Sequence, residues 1–367
     1  MVPENRPNPN LEAYDMEGLT IGTICSHSAL QIFHGARQEG FPTIGITKSD
    51  RREMYESFTM GRPDEFMEVE DFDEMLKPSF QRELMERNVV LIPHGSMVEY
   101  VGSEAVAKQL EVPMFGNPKV LDWESDRTKE REWLTEAGCK MPRLFRKPED
   151  IREPCFVKLP GAKGGKGFRI VANEEEFQQV VANTPGLKDD DFTVQEFIVG
   201  TRYYFQMYYS PIHGDGYSAG EGRVELLGID RRVESNIDEL YRFGFSRYEL
   251  AKADIERTFV VTGNLPLVLR ESMLPRVFEM SRNIVDVSLE KFYPGIIGPF
   301  CIESVLTDDL EFYVFEISAR IVAGSNLYPL GSQYTEFMFG EPMSTGRRMS
   351  RDINIARGKG ELNKVVF

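Results

Sequence analysis

The stretch from Cys301 to Asn326 constrains the fold most, because it has the pattern of two strands joined by a turn. Two runs rich in apolar and β-branched residues flank Thr307–Leu310, which has the composition of a turn. This pattern predicts a β-hairpin. With the two aspartates of the turn at its tip, Glu303 pairs opposite Val314. Glu316 is then a diagonal neighbour of Glu303 on the same face, about 7–8 Å away between Cα atoms.

Two more polar residues follow the second strand of this hairpin. Arg320 comes directly after it, and Asn326 follows a turn that contains a glycine. Two carboxylates, a guanidinium and an amide oxygen on rigid strands can bind Mg²⁺ and phosphate oxygens together. The alternative is a plain hairpin whose two glutamates are solvated.

Length and charge narrow the class of protein. A chain of 367 residues predicts two or three lobes. The net charge of −16 argues against a general binder of nucleic acids or anionic membranes. The four scattered cysteines include no C-x-x-C pair, which indicates reduced, buried thiols in a cytoplasmic protein. We find neither a signal peptide nor an apolar run of membrane-spanning length in the sequence.

The first 124 residues predict a lobe built on parallel strands. Strands at 19–24 and 41–47 flank a helix with a serine at its N-cap, which is a βαβ unit. His27 lies in the loop after the first strand, at the edge where open α/β sheets bind ligands. A lone histidine at a turn is more often structural.

A second loop of similar composition follows the strand predicted at 88–93. It carries His94-Gly95-Ser96 and leads into a helical stretch near 97–109. We expect the two loops to converge on one ligand, for which a phosphate or a polar heterocycle suits the hydroxyl, imidazole and backbone N–H groups. The acidic stretch 64–86 between them is interpreted as mostly solvated surface, and a strand and turn at 112–117 close the lobe.

The middle lobe predicts a basic lid. A helix through residue 136 precedes a strand at 155–159, which runs into P-G-A-K-G-G-K-G at 160–167 and out into another strand. Glycines and lysines between strands present N–H groups and positive charge to phosphates. Neither the P-loop nor the dinucleotide-binding spacing fits. A glycine-rich surface hairpin is the alternative.

The last lobe adds further candidates. A strand at 191–199 ends near a glycine and can present its backbone to an adenine edge. The strand at 224–233 ends in Asp230-Arg231-Arg232, where the arginines are either anion ligands or a surface pair, and Glu234 can accept from a hydroxyl or a cation. Asn264 is expected in a turn, and helices are predicted at 274–289 and 346–355.

These motifs in this order resemble the ATP-grasp superfamily. G-T-I-C-S-H-S-A-L, I-P-H-G-S, K-L-P-G-A-K-G-G-K-G, D-R-R-V-E-S-N-I-D and F-E-I-S-A-R together resemble the archaeal formate-dependent 5-formaminoimidazole-4-carboxamide ribonucleotide synthetase family, over nearly the whole chain. The resemblance implies an α/β (α+β) ATP-grasp fold. Its expected lobes are an N-terminal βαβ (pre-ATP-grasp) substrate-binding lobe at 1–124, a lid lobe at 125–199 and a C-terminal metal- and nucleotide-binding sheet lobe at 200–367.

The resemblance also implies an activity and a set of site residues. The activity is ATP-dependent ligation of formate to the amine of aminoimidazole carboxamide ribonucleotide, through formyl phosphate, with Mg²⁺ or Mn²⁺. Glu303 and Glu316 match the metal ligands. The positions that match nucleotide contacts are Lys158, Lys163, Gly164, Gly165, Lys166, Gly167, Gln195, Glu196, Phe197, Ile198 and Glu234. The ribonucleotide is matched by His27, Ser96 and Asn264, and Arg320 is assigned to phosphate or transition-state charge from its place after Glu316.

One segment departs from the family pattern. The turn at 321–326 reads I-V-A-G-S-N and lacks an acid expected there, which leaves the acyl acceptor open. The alternatives are an ATP-grasp ligase for another carboxylate and amine, or a nucleotide-binding paralogue without turnover. The family also implies a cytoplasmic homo-oligomer, in particular a hexamer, with small-molecule substrates and neither nucleic acid nor membrane as a partner.

Overall fold

Three β-sheets organise the chain in a computed structural model. The structure describes residues 8–145, 147–158, 168–184, 192–214, 216–253, 255 and 258–367. Each sheet lies within one of the three expected lobes, whose boundaries remain a prediction. Within the described residues, no helix combines the length and apolar character needed to cross a bilayer.

The first sheet has four parallel strands: β1 (Thr20–Ile24), β2 (Thr43–Thr47), β3 (Glu65–Glu68) and β4 (Val89–Leu91). Their order is β3–β2–β1–β4. The helices of this part are α1 (Ala29–Gln38), α2 (Ser49–Glu56), α3 (Pro78–Glu86), α4 (Gly95–Tyr100) and α5 (Ser103–Gln109). Three of the strands, β1, β2 and β4, are buried along their whole length, as their continuous apolar runs predict for a parallel sheet.

The predicted βαβ unit is therefore confirmed, but three details of this lobe differ. The helix expected near 97–109 is two helices, because Gly102 between them has a φ of 94°. The acidic stretch 64–86 contains β3 and α3; β3 is an edge strand with mostly exposed residues, so it lacks an apolar signal. The strand expected at 112–117 forms only isolated bridges, which join Met114 to Leu91 and Phe115 to Val366.

The middle sheet is antiparallel, in the order β5–β8–β6–β7. Two helices, α6 (Lys119–Ser125) and α7 (Arg127–Glu136), lead to its elements, which are β5 (Leu144–Phe145), β6 (Cys155–Lys158), β7 (Phe168–Val171), α8 (Glu174–Ala182) and β8 (Thr193–Glu196). The two strands predicted on either side of the glycine-rich loop are confirmed, and β6 and β7 pair antiparallel. The loop that joins them, at 159–167, lies outside the described residues.

The last sheet has six strands in the order β10–β11–β9–β13–β14, with β12 also paired to β11. Its elements are β9 (Thr201–Ser210), β10 (Tyr217–Ala219), β11 (Gly222–Asn236), α9 (Ile237–Arg242), α10 (Arg247–Lys252), β12 (Phe259–Pro266), α11 (Leu274–Lys291), β13 (Gly298–Leu306), β14 (Phe312–Ser318), α12 (Gln333–Phe339) and α13 (Thr345–Lys359). As predicted, α11 packs on this sheet through Val277, Ile284 and Val285.

Helix α13 packs against α1 of the first lobe. A Cβ atom added to Gly35 would lie 2.1 Å from the backbone nitrogen of Arg347, so the two helices approach to backbone contact. Met349 and Ile353 are buried there in a core shared with Ile32 and Ala36. The far end of the chain thereby covers the first sheet and fixes the last lobe against it.

Candidate active site

Two strand-to-helix loops meet at the point where the order of the first sheet reverses. The loops follow β1 and β4, which are neighbours in the sheet although β2 and β3 come between them in the chain. Ser96 Oγ donates to Ser26 Oγ at 2.8 Å, and the rings of His27 and His94 stack. The predicted convergence is confirmed, at the position where open α/β sheets bind ligands.

The partners of His94 fix its protonation state. Its Nε2–H donates to the carbonyl of Ile24 at 2.9 Å, and its Nδ1 accepts from the backbone N–H of Ser96 at 3.2 Å. Burial lowers the pKa of His94 to about 4, and the nearby charge of Arg320 also lowers it. The ring is therefore neutral at pH 7 and ties one loop to the other. The sequence noted His94 in its loop but did not select it as a site residue.

His27 lies on the wall of the same cleft, with its backbone in the left-handed region at φ 52°. Its Nδ1 lies 2.8 Å from Ser28 Oγ, so Ser28 occupies the N-cap position of α1 without capping the helix. Desolvation of the ring by the surrounding protein lowers the pKa of His27 to about 3, and the charges of His94, Arg320 and Arg232 act in the same direction. A neutral imidazole therefore faces the cleft.

The turn at 321–326 holds the His27 loop in place. Asn326 Nδ2 donates to the carbonyl of His27 at 3.1 Å, and Gln31 Nε2 donates to Asn326 Oδ1 at 2.7 Å. Gly324 lies against a carboxylate, since an added Cβ would be 2.3 Å from Asp230 Oδ1. An acid from β11 therefore lies beside the turn that lacks one of its own.

Asp230 in turn positions Asn264. Asn264 Nδ2 donates to Asp230 Oδ2 at 2.7 Å, and Gln206 Nε2 donates to Asp230 Oδ1. Asn264 lies within β12, opposite Arg232 of β11, so the expectation of a turn at Asn264 was wrong. The exposed character of this strand explains the error, because its residues do not alternate between apolar and polar.

Arg320 joins the sheet edge to the carboxylate hairpin. Its Nη2 pairs with Glu124 Oε1 at 2.8 Å, and its Nε is buried without a hydrogen-bond partner among the described residues. A Cβ added to Gly95 would lie 3.4 Å from Arg320 Nη1 and 3.1 Å from His27 Nε2. Only glycine at position 95 leaves the space between this guanidinium and the imidazole open.

The carboxylates of Glu303 and Glu316 lie on one face of the β13–β14 hairpin, as predicted, but their register differs. Glu303 pairs directly with Glu316, not with Val314. The loop spans 307–311 with Leu310 at φ 62°, which shifts the pairing by one residue, and a bulge between Glu303 and Ser304 shifts it by one more. Without that bulge the two side chains would point to opposite faces.

Glu303 is fully buried and holds one free oxygen. Its Oε1 accepts from Arg232 and, at 3.2 Å, from Ser318, whereas its Oε2 has no partner among the described residues. Burial raises the pKa of Glu303 to about 7; Arg232 opposes this rise and the Glu316 carboxylate adds to it. Arg232 thus lies inside the protein against the Glu303 carboxylate, while Arg231 pairs with Asp238 near the surface, and a role of either arginine in binding an anionic ligand stays a prediction.

Lys158 approaches this carboxylate cluster from the end of β6. Burial lowers its pKa, although the negative charges of Glu316 and Glu130 partly offset the effect. Glu130 on α7 is buried, accepts from the backbone N–H of Ile317 at 2.7 Å, and has a pKa raised by burial and by Glu316. The predicted nucleotide lysine and metal glutamates therefore lie together. The sequence missed Glu124 and Glu130, because isolated acids on helices resemble solvated residues.

The remaining nucleotide candidates lie in β8, in the segment after it and in β11. Gln195 is buried in β8, and Glu196 accepts from the Arg143 backbone at 3.0 Å. The ring of Phe197 packs on Phe156, and Ile198 follows in the segment that leads to β9. Glu234 on β11 pairs with Arg202, and burial raises its pKa. The other five candidates, Lys163, Gly164, Gly165, Lys166 and Gly167, lie outside the described residues.

Known proteins with this arrangement define its class. The biotin carboxylase domain of a 2-oxoglutarate carboxylase from Hydrogenobacter thermophilus, solved with MgADP, ADP and bicarbonate, matches 95% of this chain and 72% of its own, with a TM-score of 0.64 and 16% identity. The fold is that of ATP-grasp enzymes.

Closer relatives define the family. The 5-formaminoimidazole-4-carboxamide-1-(β)-D-ribofuranosyl 5′-monophosphate synthetase of Methanosarcina barkeri is 51% identical over 97% of both chains. The crystal structure of the IMP biosynthesis protein PurP from Thermococcus kodakaraensis matches 95% of this chain and 100% of its own, with a TM-score of 0.73 and 29% identity. Models of two families described as of unknown function, DUF1246 and DUF1297, match residues 21–145 and 174–367. The chain belongs to the 5-formaminoimidazole-4-carboxamide ribonucleotide synthetase family.

Proposed function

We propose that this chain ligates formate to the 5-amino group of 5-aminoimidazole-4-carboxamide ribonucleotide, a step of purine (IMP) biosynthesis. A formate oxygen attacks the γ-phosphorus of ATP, which yields formyl phosphate and ADP. The amine then attacks the formyl carbon, the C–O bond to phosphate breaks, the nitrogen loses a proton and phosphate leaves. The product is the 5-formamido ribonucleotide.

The position of Arg320 is the observation that carries this proposal. It follows Glu316 by four residues, and its guanidinium borders the same small space as His27 and Gly95 at the sheet edge. A reacting carboxylate or acyl phosphate bound there lies between the sheet edge of the first lobe and the carboxylate hairpin. The buried Nε, which lacks a partner among the described residues, is a donor suited to such an oxygen.

The carboxylate pair fits Mg²⁺ or Mn²⁺. Such ions in ATP-using enzymes are held by one or two carboxylates plus substrate phosphates. The described residues contain no group of three or more His, Cys, Asp or Glu side chains placed for a metal, but they do contain the free Oε2 of Glu303 opposite Glu316. When bound, the metal would neutralise charge on the β- and γ-phosphates.

The protein side chains then divide the binding work. Lys158, with the 163–167 loop, the Gln195–Ile198 segment and Glu234, binds ATP. His27, Ser96 and Asn264 bind the ribonucleotide as neutral hydrogen-bonding groups, and neutral imidazole avoids protonating the attacking amine. The reaction also requires that water be excluded from the acyl phosphate.

We further propose that the chain acts in the cytoplasm as a homo-oligomer, in particular a hexamer, divided into lobes at 1–124, 125–199 and 200–367. Support for the assembly and compartment comes from the family resemblance, and the lobe boundaries follow the three sheets. The matching synthetases come from archaea, which supports an archaeal source.

The experiment measures ADP release with ATP, Mg²⁺ and formate, with and without the aminoimidazole ribonucleotide, and follows the product by mass. We expect ADP and a product heavier by one formyl group only when all components are present. ADP release with acetate in place of formate, or product without formate, would overturn the proposal. Binding of ATP without product would redirect the search to other carboxylates and amines.

A further inference from the structure

Arg51 is an arginine that neither the sequence prediction nor the relatives assign to the site. It lies in the first turn of α2, directly after β2, at the carboxyl edge of the first sheet. Its guanidinium carbon lies 5.3 Å from the ring centroids of both Phe72 and Tyr100. Two aromatic faces thus hold a cation in place where the sheet binds ligands.

The charge of Arg51 is not neutralised within the described part of the chain. Its neighbours in sequence are paired: Lys48 lies 2.5 Å from Asp71, and Arg52 pairs with Glu56 and Glu68. Arg51 forms no ion pair with any described carboxylate, and its hydrogen bonds reach only the carbonyl of Cys25 and the hydroxyl of Tyr100, both at 3.4 Å. A guanidinium has five N–H donors, so most remain available for an anion.

The contact with Cys25 places this cation beside the loop after β1 that carries His27. Cys25 directly precedes Ser26 and His27, and the Ser26 hydroxyl is bonded to Ser96. Arg320 touches the same loops at a different place, next to Gly95 and His27 Nε2. The two loops at the sheet edge therefore have Arg320 near one place and Arg51 near another, at the start of the His27 loop.

We propose that Arg51 binds the 5′-phosphate of the ribonucleotide, and this inference rests on the proposed function. A phosphomonoester carries up to two negative charges and three acceptor oxygens, which match a fixed guanidinium fork. The first turn of α1, directly after His27, adds backbone N–H groups at the same edge. The phosphate anchors the substrate at Arg51, and its amine extends toward Arg320.

The test compares a ligand with its phosphate-free counterpart in wild type, Arg51→Met, Arg51→Lys and the matched control Arg52→Met. We measure KM and calorimetric Kd for the aminoimidazole carboxamide ribonucleotide and for the corresponding riboside, and Kd for ribose 5-phosphate. We expect Arg51→Met to weaken binding of the ribonucleotide and of ribose 5-phosphate about 10- to 100-fold. The affinity for the riboside and the KM for ATP should stay unchanged. Arg51→Lys gives an intermediate loss, and Arg52→Met gives none.

Several outcomes overturn the inference. Equal weakening of riboside and ribonucleotide means that Arg51 only supports the loop, and a raised KM for ATP alone assigns it to the other nucleotide. If a folded Arg51→Met variant binds both phosphate ligands with unchanged affinity, the phosphate is bound elsewhere. The inference is also overturned if the wild type binds neither the ribonucleotide nor ribose 5-phosphate. If the ribonucleotide binds through Arg51 but no formylated product forms, the inference stands and the proposed function fails.

Discussion

The rings of His27 and His94 lie 5.5 Å apart between centroids and only 6° from parallel. Each ring belongs to one of the two loops at the switch point of the first sheet, so the stack fixes the distance between the loops. Two imidazolium charges at this separation would repel one another in a crowded site near Arg320. The arrangement therefore disfavours simultaneous protonation of both rings, which agrees with the lowered pKa of each.

The first prediction concerns stability against pH. The pKa of His94 is lowered from 6.5 to about 4, so below pH 6.5 the unfolded chain binds a proton that the folded chain does not. This contribution is fully present above pH 6.5 and is lost as the pH falls toward 4. Between pH 7 and pH 5 we expect it to remove about 2 kcal/mol of unfolding free energy. Urea denaturation of wild type and His94→Gln measures this, and identical pH slopes would contradict it.

The second prediction concerns Gly95. An Ala side chain at this position would lie 3.1 Å from His27 Nε2 and 3.4 Å from Arg320 Nη1, in the space assigned to the reacting carboxylate. We expect Gly95→Ala to lower kcat/KM for formate by about 100-fold or more, with melting temperature nearly unchanged. The control is Gly358→Ala on α13, where an added Cβ meets no atom within 4 Å. Wild-type kinetics in Gly95→Ala would remove the carboxylate from this space.

The third prediction concerns the metal. Glu316→Gln keeps the size of the side chain but removes one of the two facing charges. We expect turnover to be abolished, with only a modest loss of nucleotide affinity, because the other proposed ATP contacts, at Lys158 and in the Gln195–Ile198 segment, are unchanged. Steady-state kinetics and calorimetry with ADP distinguish the two effects. Glu311→Gln, in the loop of the same hairpin and paired with Arg276, is the matched control. Persisting activity in Glu316→Gln would show that the hairpin is not the metal site.

The fourth prediction concerns the turn at 321–326. Gly324→Ala brings a methyl group into the Asp230 carboxylate, which then can no longer hold Asn264 in place. We expect a loss of about 1–3 kcal/mol of stability and a higher KM for the ribonucleotide. Chemical denaturation and kinetics measure both. Gly263→Ala on β12, where an added Cβ meets nothing within 4 Å, should change neither stability nor KM. A fully stable, fully active Gly324→Ala would mean that the turn moves freely.

The sequence was most informative where local patterning and the site coincide. The loops with His27 and Ser96 follow strands with clear apolar runs, so their place at a sheet edge could be predicted. Lys158 and the two hairpin glutamates lie within such strands, so their secondary structure could be predicted as well. The metal, nucleotide and substrate roles of these residues remain predictions, as do the roles of the residues in the 163–167 loop.

Other parts of the site depend on contacts between distant segments. The direct pairing of Glu303 with Glu316 needs the bulge between Glu303 and Ser304, and the residue types there do not predict a bulge. Glu124 and Glu130 acquire meaning only because α6 and α7 pack against the end of β14, where they meet the Ala319 and Ile317 backbone. Asp230 lies beside the turn but comes from another strand. No local pattern reports such proximity.

The bridge between Phe115 and Val366 has a consequence for how the protein is made. Met114 and Phe367 exchange two backbone hydrogen bonds at 2.8 Å, and Val365 and Val366 are fully buried against the first lobe. The first lobe is therefore completed by a segment that is synthesised 251 residues after Phe115. At bacterial-type rates of synthesis this delay is on the order of ten seconds or more. Until that segment is made, the apolar surface of the first lobe that Val365 and Val366 cover stays exposed to water.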